Sequence, residues 1–433
     1  MAPSPSTSEC PTPPPSDSSG WFNRTVWGAG LTSFLSDVSY EMASAILPAF
    51  LRLLHIPPES VGLLLGWIEG IADLSSNAVK LIMGWYSDRI GHRKPYVVAG
   101  YTLTGVAFVL CAVAVSWPLV LAAKVIGWIG KGLRGPLRNA ILADAVPPQH
   151  VGKAFGFHRA GDTLGAIIGP LLGAALLAYL PPEWFDQPDE PYRLIFLLTL
   201  IPGLAAAIAF AVLVREQRFT PRPALRFTAS LRSLPKDFRR YLLPVFVFGI
   251  GDFSHALLIL TAGLLLTPLY GMPSAAVWAG VLYAIRNTAG ALTAYPAGWL
   301  GDRCGRRRVL VAAYLLAAAV MFGFTLLTLN GWTHPIILIL LFTLAGVYIA
   351  MEEALEPAIT ADLVRDRSLR GTAMGVLATV NGLGDFIASA AVGSLFLLGQ
   401  PYAYATAAIL MFLGAVLLIP RTGHVEPPPP SSD

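Results

Sequence analysis

Charged residues are scarce in this chain. Asp, Glu, Lys and Arg make up 13% of its 433 residues, whereas hydrophobic residues make up 55%. Because a soluble protein carries about 25% charged residues, this composition excludes the ordinary soluble classes. Cysteine is scarce too, and Cys10, Cys111 and Cys304 stand far apart, so we expect neither a disulfide nor a metal site on cysteine. No Walker-type phosphate loop occurs, which argues against ATP as an energy source and against a bound nucleotide cofactor.

Long hydrophobic runs dominate what is present. A helix needs about 20 apolar residues to cross a bilayer, and twelve such runs can be placed along the chain. The sequence therefore predicts an all-α membrane protein with twelve transmembrane helices. The predicted spans are Trp27–Phe50, Val61–Tyr86, Tyr96–Ser116, Leu119–Ala140, Phe155–Leu180, Leu194–Val214, Leu242–Tyr270, Ala276–Leu300, Val309–Leu329, Ile336–Ala358, Thr372–Leu398 and Tyr402–Ile419.

The ends and loops of the chain predict its orientation. Residues 1–24 and 421–433 are rich in Pro and Ser, so we expect both to be disordered, and the first lacks the apolar core of a signal peptide. The loops Asp88–Lys94 and Asp302–Arg308 are basic, whereas the loop Pro181–Pro191 is acidic. Since Lys and Arg stay on the cytoplasmic side, both termini are predicted to be cytoplasmic, most simply in a bacterial inner membrane. The net charge of +4 reflects this topology and gives no reason to expect nucleic acid as a partner.

One charged phrase occurs twice. GWYSDRIGHRK begins at Gly84, and GWLGDRCGRRR begins at Gly298. Such a repeat predicts two six-helix bundles, residues 25–214 and 241–420, joined by a basic cytoplasmic linker at 215–240. The matched positions are Gly84, Asp88, Arg89, Gly91 and Arg93 in the first copy and Gly298, Asp302, Arg303, Gly305 and Arg307 in the second.

The doubled phrase resembles the signature loop of the major facilitator superfamily, and departs from it only in having His92 at a usually basic position. This resemblance implies a monomeric transporter that works by alternating access, with helices 1, 4, 7 and 10 lining a central cavity. The glycines would allow tight packing and a sharp turn. Asp88 would bond helix amides of the neighbouring half or an arginine such as Arg93, so that each loop acts as a cytoplasmic gate.

Charges inside the predicted spans are candidates for the transport site, because each is costly at a helix centre. Aligning the two halves sets Arg134 against Glu352 and Arg138 against Glu356, so these faces could bridge in one state and part in another; a permanent structural network is the alternative. The carboxylates and His255 are candidate proton carriers. The candidate cavity residues are Asp37, Glu41, Arg134, Arg138, Asp252, His255, Glu352 and Glu356.

Helix 5 carries a glycine pattern that favours close helix packing. It resembles the antiporter motif of exporters in the same superfamily, with Ala174 where a final Gly is usual. Helix 4 resembles another motif of that superfamily, with Lys124 where Arg is usual. The helix 5 residues are Gly161, Gly165, Gly169, Pro170 and Gly173.

These features lead to one principal functional hypothesis and its alternatives. We expect a secondary transporter of a small polar or charged solute that is coupled to protons. Antiport (efflux) is the principal expectation, ahead of symport. Proton-coupled uptake of an organic anion, a metal or a metal chelate is the alternative, although no Met or Cys pair favours a soft metal. A receptor or assembly factor that keeps the fold without transport is the alternative from another class. No nucleophile–base pair can be placed, so an enzyme is not expected.

Overall fold

The computed structural model describes residues 22–54, 56–87, 92–147, 150–216, 233–364 and 367–419. Nearly all of both predicted disordered ends, and most of the predicted linker, lie outside these ranges. The helices are α1 Arg24–Leu53, α2 Val61–Ser87, α3 Lys94–Ala107 with Val109–Ala112, α4 Trp117–Asp144, α5 Val151–Tyr179, α6 Glu190–Leu198 with Leu200–Leu213, α7 Lys236–Gly249 with His255–Tyr270, α8 Met272–Cys304, α9 Arg306–Leu329, α10 Pro335–Leu363, α11 Arg367–Leu395 and α12 Gln400–Leu418.

The described residues thus form twelve spanning segments, in agreement with the predicted fold. Seven of them, α3, α5, α6 and α9–α12, are long and apolar enough to cross a membrane by length and composition alone. The other five include α1, α2 and α4, which carry several charged residues in mid-helix. Charge in mid-helix therefore accounts for the departure of α1, α2 and α4 from a plain hydrophobic span.

Helix α7 differs from its prediction. A continuous helix was expected over Leu242–Tyr270, but the chain forms two helices that end at Gly249 and begin again at His255. The sequence Gly249-Ile250-Gly251 supplies little helix propensity at this point, and the Ser254 hydroxyl caps the second helix by accepting from the Ala256 amide. Asp252 therefore lies in a helix break, not on a helix face. The first segment also begins at Lys236, inside the region expected to be linker.

One end of the bundle, which we call the terminal face, carries the start of α1 and the ends of α4, α6 and α12. The Asn23 side chain donates to the Ala145 carbonyl after α4, and the Thr25 hydroxyl contacts the Arg215 carbonyl after α6. In the second half, Arg307 at the start of α9 donates to the Leu418 carbonyl at the end of α12. The opposite end is called the distal end.

The two halves pack closely at the distal end. A Cβ on Gly66 of α2 would lie 2.7 Å from the Cα of Gly393 in α11, so the two backbones are nearly in contact. The Arg52 guanidinium, late in α1, donates to the Thr267 hydroxyl, late in α7, over 3.2 Å. Small residues at such crossings let helices approach where a larger side chain would separate them.

A methyl group at Gly66 tests this close approach. Gly66→Ala should lower the melting temperature of the purified protein, because overpacking a tight contact costs about 1–3 kcal/mol. Gly156→Ala is the matched control, since a Cβ there meets nothing within 4 Å and alanine favours a helix. Equal melting temperatures for the two variants would show that the crossing is looser than described.

Candidate functional site

A cavity of about 600 Å³ lies between the halves, toward the terminal face. Its wall comes from α1, α2, α4 and α5 of the first half and from α11 of the second, so α7 and α10 do not line it, contrary to the expectation drawn from the resemblance. The lining is polar and predominantly basic. Its charged residues are Lys80, Lys131, Arg134, Arg138 and Arg159 on the basic side and Asp37 and Asp162 on the acidic side.

Three of the basic residues share one face of α4. Lys131, Arg134 and Arg138 are spaced three and four residues apart, which places them on successive turns of the same helix face. Arg134 is only 3% exposed; it donates to the Ser36 hydroxyl over 2.8 Å, and its guanidinium lies 4.3 Å from the centre of the Tyr101 ring. These neutral partners hold the guanidinium in place without forming an ion pair with it.

Lys131 and Arg138 are held in the same manner. The Lys131 ammonium lies 3.4 Å from the Tyr40 hydroxyl and 4.5 Å from the centre of that ring. Arg138 contacts the Asn139 amide oxygen and the Tyr101 hydroxyl. Neither residue, nor Arg134, nor Lys80, makes a salt bridge with a carboxylate in the described part of the chain. The wall of the cavity therefore presents basic side chains that are not ion-paired in the described part of the chain, with Asp37 and Asp162 as their nearby carboxylates.

The two acidic residues of the wall lie close to this basic face. Asp37 interacts electrostatically with Arg134, Lys131 and Asp162. Asp162 in turn lies 3.5 Å from the ring of His158, whose other ring nitrogen is 2.6 Å from the Ser33 hydroxyl. His158 is thus a buried partner of α1.

The distal end of the cavity is closed by hydrogen bonds between the halves. Glu41 of the first half accepts from the Tyr283 hydroxyl of the second over 2.8 Å, and the His255 ring stacks on Tyr283 at 4.5 Å. Glu69 accepts from the Ser254 hydroxyl over 3.1 Å and also pairs with Lys124. Sequence reasoning placed Glu41 and His255 in the site, but it could not show that both contact one tyrosine.

The remaining candidate carboxylates form a separate group in the second half. Asp252 accepts from the Tyr348 hydroxyl, and Glu356 accepts from the Tyr314 hydroxyl and the Asn381 amide. Glu352 lies one turn before Glu356 on α10. None of these carboxylates lines the cavity.

The predicted pairs Arg134–Glu352 and Arg138–Glu356 are not in contact in this structure. The described ion pair that joins the halves near the cavity is instead Arg159–Glu353, at 2.6 Å. Sequence reasoning named neither residue as a site residue. Glu353 follows Glu352 in the sequence but lies on another face of α10. The alignment of the halves selected Glu352 and therefore missed Glu353.

The sequence profile of the Major Facilitator Superfamily matches residues 29–290 and 246–433. The chain belongs to this superfamily. An uncharacterized MFS-type transporter of Methanocaldococcus jannaschii is 30% identical over 92% of this chain and 94% of its own length.

Two further similarities come from other members. A multidrug resistance protein of Serratia proteamaculans is 26% identical over 69% of this chain and 70% of its own length. The crystal structure of a D-xylose-proton symporter shares the fold with a TM-score of 0.71, at 16% identity, over 92% of this chain and 97% of that one. This chain is a membrane-embedded secondary transporter, not an enzyme.

The superfamily's signature loops can be compared in part. In the first copy, Asp88, Arg89 and Gly91 lie outside the described residues, and so do the surroundings of Gly84. The described Arg93 pairs with Asp144 at the end of α4 over 2.8 Å.

The second copy is described in full. Arg306 pairs with Asp302 of the same loop and with Asp362 at the end of α10, both at 2.8 Å. Gly305 has φ 94°, a conformation that favours glycine and so accounts for the predicted sharp turn. Gly298 has open space around it, so close packing does not explain that glycine. Arg303 stacks on Trp299. Each described ion pair of the two loops joins residues of the same half.

The glycine pattern of α5 packs against α1. A Cβ on Gly165 would lie 2.7 Å from the Cβ of Asp37, and one on Gly169 would lie 3.0 Å from the Cβ of Glu41. Gly161 and Gly173 approach the α1 backbone at Gly30 and Met42, and Pro170 lies within the same helix. The pattern therefore seats the two candidate carboxylates of α1 directly against α5.

The buried Lys124–Glu69 pair yields a stability prediction. Both side chains are at most 2% exposed and their charged atoms are 2.7 Å apart. Glu69→Gln leaves the Lys124 charge without its partner, which should cost about 3–5 kcal/mol and lower the melting temperature markedly.

The exposed pair provides the matched control. Arg159 and Glu353 are 65% and 57% exposed, so Glu353→Gln should cost at most about 1 kcal/mol. If both variants melt alike, Lys124 has another partner or is neutral in the folded protein.

Proposed function

We propose that this protein transports a small organic anion by alternating access, coupled to protons. The observation that carries the proposal is the α4 face, on which Lys131, Arg134 and Arg138 line a cavity between the halves without forming a salt bridge to any described carboxylate. A charge that is removed from bulk water and has no ion-pair partner is unfavourable. A solute that brings a carboxylate or similar anion into the cavity therefore binds favourably, because it forms charge-assisted hydrogen bonds with these side chains.

The contacts between the halves support alternating access. The distal end is closed by backbone contact at Gly66 and by the Tyr283–Glu41 hydrogen bond, whereas the cavity lies toward the terminal face. If the basic loops are cytoplasmic, the structure represents an inward-facing state of a plasma-membrane protein with cytoplasmic termini. We propose that the protein works as a monomer.

Asp37 is the proposed proton carrier. When ionised, it partly compensates Arg134 and Lys131, with which it interacts. When protonated, it leaves their positive charge to the solute. Binding of a proton at Asp37 and binding of an anion at α4 should therefore favour each other, which is the thermodynamic condition for symport.

Exchange is the second candidate, and it is the one that the sequence favoured. Two observations support exchange: the glycine pattern of α5, which packs against Asp37 and Glu41, and the similarity to a relative named as a multidrug resistance protein. A solute that displaces the proton from Asp37 would be exported in exchange for it. The basic cavity favours an anion over the organic cations or metal ions that such an exchange would suit best.

Proteoliposomes with a trapped pH-sensitive dye separate the two candidates. A panel of labelled mono- and dicarboxylates is added outside, and labelled-solute uptake and lumenal pH are recorded together. Proton symport predicts uptake with lumenal acidification, whereas exchange predicts alkalinisation. Absence of flux for every anion, together with flux of amines, would contradict the proposal.

Variants assign the roles. Arg134→Gln and Lys131→Gln should reduce uptake roughly 10- to 100-fold, the effect of losing one charge-assisted hydrogen bond of about 1.5–3 kcal/mol. Asp37→Asn should keep uptake down a solute gradient but lose the pH change. Lys153→Gln, an exposed residue outside the cavity, serves as the charge-matched control and should behave like the parent.

A further inference from the structure

The break in α7 adjoins a buried group of acceptor side chains that the anion cavity does not use. We call Asp252, Glu352, Glu356 and Asn381 the α7 cluster. Asp252 lies in the break itself, Glu352 and Glu356 lie on α10, and Asn381 lies on α11. The three carboxylates interact electrostatically with one another and with Asp385 of α11.

The charge around the α7 cluster is predominantly negative. Arg286 of α8 is the described basic side chain that interacts with Asp252, and Glu353 adds further negative charge. Lys80 and Asp73, both of α2, interact with Asp385 at the edge of the cluster. One arginine and one peripheral lysine therefore face several buried carboxylates, which must be protonated or compensated by a cation.

Two oxygen atoms of the α7 cluster have no hydrogen-bond partner among the described residues. The Glu352 Oε2 and Asn381 Oδ1 atoms are buried and unpartnered, and Glu352 as a whole is only 9% exposed. Buried polar atoms are normally satisfied. Because both atoms are acceptors, the missing partner is a donor or a cation.

The hydrogen bonds that are present suit carboxylates that carry their charge. Tyr348 donates to Asp252, and Tyr314 and Asn381 donate to Glu356. Donors aimed at carboxylate oxygens form charge-assisted bonds. These donors stabilise negative charge on Asp252 and Glu356, and the Glu352 Oε2 and Asn381 Oδ1 atoms are left available to a ligand.

Position and ligand type narrow the choice of cation. The α7 cluster does not line the cavity, so a solute in the cavity does not contact it and its ligand must be small. The first segment of α7 ends at Gly249, and the carbonyls of a helix end favour a cation. In the described ranges, no three His, Cys, Asp or Glu side chains converge as a metal centre of that composition requires. A small monovalent ion can instead use amide and backbone oxygens.

We propose that the α7 cluster is a binding site for Na⁺, with Asp252 and Glu352 supplying the charge and Asn381 a neutral oxygen. The site would allow Na⁺ to bind in the second half while the first half binds the anion. The proposal does not depend on the solute, because the two groups of residues are separate.

Binding of ²²Na⁺ to the purified full-length protein, with no solute present, tests this directly. Saturable binding that unlabelled NaCl displaces, and that KCl or choline chloride does not, is the expected result. Glu352→Gln and Asp252→Asn should each weaken Na⁺ binding at least about tenfold. Glu59→Gln, an exposed residue before α2, is the matched control, and Lys131→Gln should also retain Na⁺ binding although it loses anion transport.

A second measurement guards against variants that fail to fold. NaCl should raise the melting temperature of the parent protein above its value in KCl at equal ionic strength, since a ligand that binds the folded state stabilises it. The proposal is overturned if the folded parent shows no Na⁺-specific binding or melting shift, which would leave the α7 cluster to protons. It is equally overturned if folded Glu352→Gln binds Na⁺ as the parent does.

Discussion

A charged side chain inside a membrane protein must be hydrated, paired or hydrogen-bonded, and this constraint organises the whole molecule. Lys124 and Glu69 meet it by pairing with each other in a site that is closed to water. Arg134 meets it differently, with one hydroxyl and one aromatic face. The charge of Lys124 is neutralised by Glu69, whereas Arg134 has no ion pair and remains available to a ligand. That difference separates a structural ion pair from a site for a ligand.

The two halves share one repeated architecture but carry opposite charges at corresponding helix positions. The α4 face is basic and lines the cavity, whereas the corresponding part of α10 is acidic and lies outside it. Between them, Glu41 and Glu69 accept hydrogen bonds from Tyr283 and Ser254 across the halves. These contacts between neutral donors and carboxylates can separate without leaving an unpaired cation, as a rocking movement requires.

Much of the fold could be predicted because its determinants are local. Each hydrophobic run is long enough to span, and the doubled loop exposes the repeat. The φ of Gly305 confirms the turn that was expected for that loop. The break in α7 was missed, because Ile250 and Phe253 continue the hydrophobic run even though the backbone is not helical there.

The site could be predicted only by residue type and helix face. Arg134 and Arg138 share one face of α4, as their spacing predicts, and Lys131 follows the same spacing. Partners across the bundle could not be predicted, because they depend on how helices cross. Arg159 pairs with Glu353, and Tyr101 supports Arg134, although nothing local links either residue to its partner.

The central claim is that free positive charge on α4 selects an anion. The most direct test measures equilibrium binding to the parent protein for three solutes of one carbon skeleton, a carboxylate, its amide and the matching amine. The account predicts that the carboxylate binds at least about tenfold more tightly than the amide, and that the amine does not compete with it. Equal binding of all three, or preference for the amine, would contradict it.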